Sequence, residues 1–161
     1  MRHRHRFALL SLCALTLALP GCMLGGGDGV KKHFNPPRAS VQQLTVLPSG
    51  QWRVVLRLQN FSNVPSKFNS VSGNLKFAGQ AAGGFAASPN ISIGPESADT
   101  VEATVSPSFE AKVAVASALS ASQSIRYEIE GQIGTDQRNA PYDFKYESSL
   151  NPAPGLPGVL R

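Results

Sequence analysis

The stretch Ile125-Arg126-Tyr127-Glu128-Ile129-Glu130-Gly131-Gln132-Ile133 decides the fold class of this chain. Apolar or aromatic residues and one glycine occupy every odd-numbered position, and charged or amide side chains occupy every even-numbered one. Because successive side chains of a β-strand point to opposite faces, this alternation predicts a strand with one buried face and one solvent-facing side.

The same alternation recurs along the chain. Trp52 to Leu58 and Val71 to Phe77 carry it most clearly, and shorter apolar stretches predict strands at 44–47, 91–93, 100–105 and 142–146. Pro48-Ser49-Gly50 predicts a tight turn that joins the first two strands in a hairpin. About seven short strands separated by turn residues predict an all-β fold, an antiparallel β-sandwich.

One segment departs from the strand pattern. Residues Phe109 to Ala121 are rich in alanine. Apolar side chains recur there at helical spacing, namely Phe109, Val113, Ala116 and Leu119. Ser108 is placed to cap the helix, and Glu110 in the first turn complements the positive end of the helix dipole. The sequence therefore predicts one short helix.

Composition supports one globular domain. The 161 residues are 42% hydrophobic and 16% charged, which suits a single core of ordinary size. The 15 glycines and 12 prolines disfavour a helical bundle, and their lack of a fixed period excludes a collagen-like chain. Pro152, Pro154 and Pro157 predict a disordered tail over 149–161.

The first residues are typical of a secretory signal. Met1 to Arg6 are basic, and Phe7 to Leu19 are almost wholly apolar but span only about 20 Å as a helix, too short to cross a bilayer. Leu19-Pro20-Gly21-Cys22 resembles the lipobox of bacterial lipoproteins. The resemblance implies removal of residues 1–21 and attachment of lipid, palmitate included, to Cys22.

Two consequences follow from that resemblance. The residue after the cysteine is Met23 and not an aspartate. In this the chain resembles lipoproteins that are sent on to the outer membrane. We therefore expect a protein of the bacterial envelope that is anchored to the outer membrane and faces the periplasm. Residues 22–40 are predicted to form a flexible tether, in which Lys31, Lys32 and Arg38 either contact anionic headgroups or are simply solvated.

Loss of the leader also changes the charge. Removing Arg2, Arg4 and Arg6 from the 15 basic residues leaves 12 against 10 acidic ones, a net charge of +2. A nucleic-acid partner therefore loses its main electrostatic support. Cys13 leaves with the signal and Cys22 carries lipid, so the domain has no thiol for a disulfide, a zinc site or nucleophilic catalysis.

Three stretches resemble the late-embryogenesis-abundant group 2 domain, also called the water stress and hypersensitive response domain. They are Trp52 to Pro65, Val71 to Gly79 and Tyr127 to Ile133, and the likeness covers residues 41–148. Phe61 stands where that family has proline, and Val64 where it has leucine. The resemblance implies an immunoglobulin-like or fibronectin-like sandwich and a link to desiccation and stress tolerance, and it carries no catalytic motif.

Groups suited to catalysis are sparse. The only histidine after the leader, His33, lies in the predicted tether, which makes a Ser-His-Asp arrangement improbable. Glu128 and Glu130 share one strand face, where solvated surface charges are the stronger interpretation than a catalytic carboxylate pair. The glycines of Ala78 to Ala87 lack the spacing and lysine of a phosphate-binding loop and favour a hairpin. We expect no catalytic residues, no metal site, no cofactor and no enzyme activity.

The remaining candidates are surface residues. Phe61, Phe68 and Phe85 lie in or beside predicted turns, where they either fold inward to close the sandwich, the favoured interpretation, or form an exposed binding patch. We expect a lipid-anchored binding or protective protein. The alternatives are an adaptor in envelope assembly and a carrier of an apolar ligand near Ala81, Ala82 and Ala86.

Overall fold

The alternating segments form nine strands, and the alanine-rich segment forms a helix. The computed structural model describes residues 31–161. In chain order the elements are β1 (Arg38–Val46), β2 (Trp52–Gln59), β3 (Ser66–Phe77), β4 (Gln80–Ala87), β5 (Ile91–Ile93), β6 (Ala98–Val105), α1 (Phe109–Ser120), β7 (Ile125–Thr135), β8 (Tyr142–Leu150) and β9 (Val159–Leu160).

The strands build two antiparallel sheets. One sheet has the order β6-β2-β1-β9 and the other the order β4-β3-β7-β8, with β5 paired to β3 beyond the β4 pairing. The apolar positions of both sheets form one buried cluster, so the predicted antiparallel sandwich with a single helix is confirmed. The predicted hairpins at 48–50 and within 78–87 are also present.

Aromatic side chains bridge the two sheets. The rings of Trp52, on β2, and Phe77, on β3, form a T-shaped pair with centroids 5.4 Å apart and an interplanar angle of 87°. Phe77 in turn lies 6.1 Å from Tyr127 on β7. All three side chains are buried, so this row of rings joins the two sheets inside the core.

Two predicted boundaries are wrong. β1 begins at Arg38, within the predicted tether 22–40 and before the strand predicted at 44–47, and Pro37 and Ala39 are buried, because the end of the predicted tether continues the strand that pairs with β2. The tail predicted to be disordered is ordered. Its last apolar pair, Val159-Leu160, forms β9 against β1. β9 and β4 are the two strands by which the structure exceeds the seven predicted from the sequence.

The two ends of the sandwich carry different features. At the end that we call the tether end lie residues 32–37 and the loops 60–65, 94–97 and 136–141, since Arg38 pairs with Gln59 at the ends of β1 and β2 that lie away from their connecting turn. At the opposite end, the helix end, lie α1, the turns at 48–50 and 78–79, and the segment 151–158. Residues Lys32–Arg161 form one compact unit.

The leader 1–21, Cys22 and the tether up to residue 30 lie outside the described residues. Within residues 31–161, none of the helices is long and apolar enough to cross a membrane.

Candidate functional site

The three phenylalanines singled out in the sequence do not form one patch. Phe68 and Phe85 are buried in the core, as the favoured inward interpretation had it, and neither is available to a partner. Phe61 is half-buried at the tether end, where its ring lies 5.2 Å from the guanidinium of Arg38. The interpretation of these residues as an exposed binding surface is therefore wrong for Phe68 and Phe85.

The exposed apolar surface lies instead on α1. Ser108 caps the helix as predicted, with its hydroxyl accepting a hydrogen bond of 3.1 Å from the backbone N–H of Ala111. Of the four residues whose spacing predicted the helix, Phe109, Val113 and Ala116 are exposed, whereas Leu119 is half-buried against the core. Phe109 is 76% exposed and Val113 is 49% exposed.

Small side chains explain this orientation. The buried residues of α1 are Ala111, Val115 and Ala118, two of which are alanines that allow the helix to lie close to the sheet. The neighbouring strand β4 is also lined with small residues. A Cβ at Gly83 would lie 3.0 Å from the carbonyl oxygen of Ser106, just before the helix. Close packing thus uses the face of Ala111, Val115 and Ala118, and Phe109 and Val113 remain outside.

Two open grooves flank this outer face. One, of about 430 Å³, is lined by Ala78, Gln80 and the Phe109–Ala114 side of the helix. The other, of about 900 Å³, lies between the C-terminal half of α1 and residues 152–158, where Leu156 is 45% exposed. We define Phe109, Val113, Ala116 and Leu156 as the helix patch. Three of the four large apolar residues that are exposed within residues 31–161 belong to it.

The tether end holds the first described residues against the domain. The N–H of His33 donates to Asn63 Oδ1 at 2.7 Å, and the N–H of Asn35 donates to Ser62 Oγ at 3.0 Å. Asn35 Nδ2 also donates to the carbonyl oxygen of Phe61 at 2.8 Å.

Arg38 completes this attachment. Its guanidinium lies 5.2 Å from the ring of Phe61 and 5.3 Å from the ring of Tyr146 on β8, so one cation contacts two aromatic faces. Asn60, at the end of β2, is buried and donates to the carbonyl oxygens of Val64, Ile93 and Gly94. The loop that receives the tether is therefore fixed from the other side as well.

Acidic side chains on and beside β3, β7 and β8 have structural partners. Glu128 lies 3.7 Å from Lys76 on the outer face of the sheet. Asp136 accepts from the N–H of Lys67 at 2.9 Å, and Asp143 accepts from Gln132 Nε2 at 2.9 Å. Residues 31–161 contain no cluster of three or more side chains able to hold a metal ion.

Two ionisable groups have shifted pKa values. Burial raises the pKa of Tyr127 above the ordinary value of 10.0, against the opposing effect of its hydrogen bond with the backbone of Val41. The hydrogen bond and charge of Glu147 raise the pKa of Lys145 above 10.5 on the exposed face of β8. Neither group lies in the helix patch.

The sequence contains one indication of the helix patch. Phe109, Val113 and Ala116 indicated a helix, but the alanines at 111 and 118 form a second apolar face, and spacing alone does not say which face meets the core. Cys22, the predicted lipid site, lies outside the described residues.

Comparison with known proteins identifies no family. No family model matches the chain, and a search of curated protein sequences finds no match either. Its structure is similar to the crystal structure of a protein from Archaeoglobus fulgidus, with 13% identity over 75% of this chain and 98% of that one and a TM-score of 0.41. It is also similar to the solution structure of a protein from Arabidopsis thaliana, with 12% identity over 76% of this chain and 82% of that one and a TM-score of 0.46.

Proposed function

We propose that this chain is a non-enzymatic, lipid-anchored protein of the bacterial cell envelope that acts by binding. The leader pattern supports export, and the lipobox-like Leu19-Pro20-Gly21-Cys22 supports an anchor in the outer membrane, with the domain in the periplasm. The binding role is supported by the helix patch.

The outer face of α1 is the single observation that carries the binding role. A surface helix normally turns its larger apolar side chains to the core and polar ones to water. Here Ala111, Val115 and Ala118 occupy the buried face, and Phe109 and Val113 face solvent. Such a surface is typical of a site that a partner covers.

The partner that fits is another envelope protein with an apolar docking segment. The helix patch lies at the end of the sandwich opposite the attachment of the tether, at about 25 Å by the rise of an eight-residue strand. A domain anchored through its tether end presents the helix patch away from its own bilayer. This placement favours the adaptor role over direct membrane contact at α1.

The carrier role has less support. Ala82 is packed in the core, and the small residues around Gly83 bring β4 close to the segment before α1. The alanines thus serve close packing of strand and helix, where a carrier would need a cavity between the sheets.

A protective role under water stress rests on the resemblance to the late-embryogenesis-abundant group 2 domain. It is tested by drying a labile enzyme with this protein or with an equal mass of an unrelated β-sandwich protein. The protective role predicts greater recovery of activity with this protein, and equal recovery would contradict it.

The anchor is tested by labelling with radioactive palmitate in a bacterial host. Cys22→Ser is expected to abolish the label, because the lipid has no other acceptor in the mature chain. Cys13→Ser is the matched control and is expected to retain the label, since Cys13 leaves with the leader. Label that persists in Cys22→Ser would contradict the lipobox interpretation.

The helix patch is tested by photo-crosslinking in cells from a reactive amino acid at position 113. We expect a discrete crosslinked protein that disappears in Phe109→Asp, a change at an exposed position that leaves the core intact. The same reactive amino acid at Asn74, on the polar outer face of β3, is the control. Identical crosslinks from both positions would contradict a specific site.

A further inference from the structure

Phe34 is the one large exposed apolar residue of the described chain that lies outside the helix patch. It is 55% exposed although both neighbours in the sequence are fixed to the domain. The N–H of His33 donates to Asn63 Oδ1, and the N–H of Asn35 donates to Ser62 Oγ. Because these bonds fix the backbone on either side, Phe34 is held on the surface by a defined part of the structure.

Cations surround this phenylalanine in the sequence. Lys31 and Lys32 precede it, Arg38 follows it, and all three are exposed. Among the acidic groups of the tether end, Asp143 on β8 lines a shallow groove with residues 35–38 and accepts from Gln132 Nε2, and Glu96 lies in the loop 94–97. Asp136 there already accepts from the N–H of Lys67 and from the hydroxyl of Ser66. The tether therefore presents an aromatic ring flanked by positive charge.

The length of chain between this surface and Cys22 is short. Residues 22–32 span at most about 35 Å when fully extended. If Cys22 carries lipid, the tether end lies within reach of the bilayer surface. The helix patch lies a further strand length away.

We infer that Phe34 and Lys32 form a membrane-contact surface, in which the ring of Phe34 enters the interfacial region and the cations meet anionic phospholipid headgroups of the bilayer that holds Cys22. The inference rests on the proposed lipid anchor. The lipid on Cys22 would hold the chain to the bilayer, and an adjacent basic and aromatic segment adds contact with the headgroup region. The contact also fixes the orientation of the sandwich, with the helix patch directed away from the membrane.

The test uses the full lipidated protein in vesicles of phosphatidylethanolamine and phosphatidylglycerol with brominated acyl chains, which quench nearby tryptophan. Phe34→Trp reports the tether end, and Phe109→Trp is the matched control at the opposite end, since both positions are exposed. The native Trp52 is buried and gives the same background in both. We expect quenching of the Trp introduced at 34 by about half, and little quenching at 109.

Equal quenching of the two variants, or an unquenched Trp at 34, would overturn the inference. Retained palmitate label in the same preparation would show that the anchor stands even then, so the two proposals fail separately. If a photo-reactive amino acid at position 34 crosslinked to a protein in cells, and the Trp at 34 were unquenched in pure vesicles, Phe34 would belong to a protein contact. That result would also overturn the inference.

The charge contribution is tested with Lys32→Glu in the Phe34→Trp background. Reversal of this charge is expected to reduce the quenching in anionic vesicles and to leave it unchanged in vesicles of zwitterionic lipid alone. Lys112→Glu, a charge reversal on α1, is the control and is expected to have no effect. An equal loss with both variants would contradict contact at the tether end.

Discussion

At the scale of single residues, the hydroxyl group of Tyr127 connects the two sheets. It accepts a hydrogen bond from the N–H of Val41 at 3.2 Å and donates to the carbonyl oxygen of the same residue at 3.3 Å. The pairing of β1 with β2 shifts register between Val41 and Gln43. The tyrosine hydroxyl therefore forms hydrogen bonds with backbone groups at an irregular point of β1.

Tyr127→Phe is expected to lower the free energy of unfolding by about 1–3 kcal/mol, because it leaves buried backbone groups of Val41 without this partner. Chemical denaturation at neutral pH measures the loss. Tyr146→Phe is the control, since its hydroxyl makes no hydrogen bond among residues 31–161, and a similar loss in both variants would argue against the bridge.

The same residue predicts a pH dependence. Burial raises the pKa of Tyr127 in the folded state above 10.0, so the folded state binds the phenol proton more tightly than the unfolded state. This contribution is complete below the unfolded pKa and is lost as pH rises through the folded pKa. The stability difference between the native protein and Tyr127→Phe should therefore shrink above pH 10, and a constant difference would contradict this explanation.

Gly131 on β7 lies opposite Gly73 on β3. A Cβ at Gly131 would overlap the carbonyl oxygen of Ser72 and come within 2.6 Å of the Cα of Gly73. Gly131→Ala should destabilise the fold by about 3 kcal/mol or more, because both neighbours are backbone atoms that cannot move aside. Gly94→Ala, where the nearest atom is Ser97 Oγ at 3.7 Å, should be tolerated in the same thermal melts.

At the scale of the elements, the sequence predicted what local spacing determines. Alternation located the strands, and Ser108 located the start of α1, because both signals depend on neighbouring residues. The outward face of α1 and the pairing of β9 with β1 depend on residues far away in the chain. No local spacing encodes them, and the sequence therefore did not reveal the helix patch.

β9 is only two residues long, yet Leu160 is fully buried. Leu160→Ala is expected to cost about 2–5 kcal/mol of unfolding free energy, as truncation of a buried leucine does. Leu156→Ala, in the same segment but 45% exposed, should cost less than about 1 kcal/mol. Equal costs in denaturant titrations would mean that the segment is not docked as described.

At the scale of the whole molecule, attachment of the tether and the helix patch occupy opposite ends of one sandwich. Residues 23–161 contain no cysteine, so the core alone must keep these ends apart. If the chain is anchored at Cys22 as proposed, coupling between that anchor and the helix patch depends on how firmly residues 33–39 are joined to the sheets.

Two truncations test where the folded unit begins. A chain starting at Lys32 keeps the hydrogen bonds of His33 and Asn35 and the Arg38 contacts, and should unfold like the complete mature protein. A chain starting at Ser40 loses them together with the buried Pro37 and Ala39 and the first pairs of β1 with β2.

We expect the shorter chain to be less stable by at least about 3 kcal/mol, since it loses several hydrogen bonds and buried apolar groups at once. Differential scanning calorimetry of the two chains measures the difference. If the chain from Ser40 were as stable as the chain from Lys32, the segment 33–39 would be a free linker. The anchor would then leave the orientation of the helix patch unrestricted. A large difference would instead support a rigid connection, in which the membrane fixes one end of the sandwich and α1 presents the other to its partner.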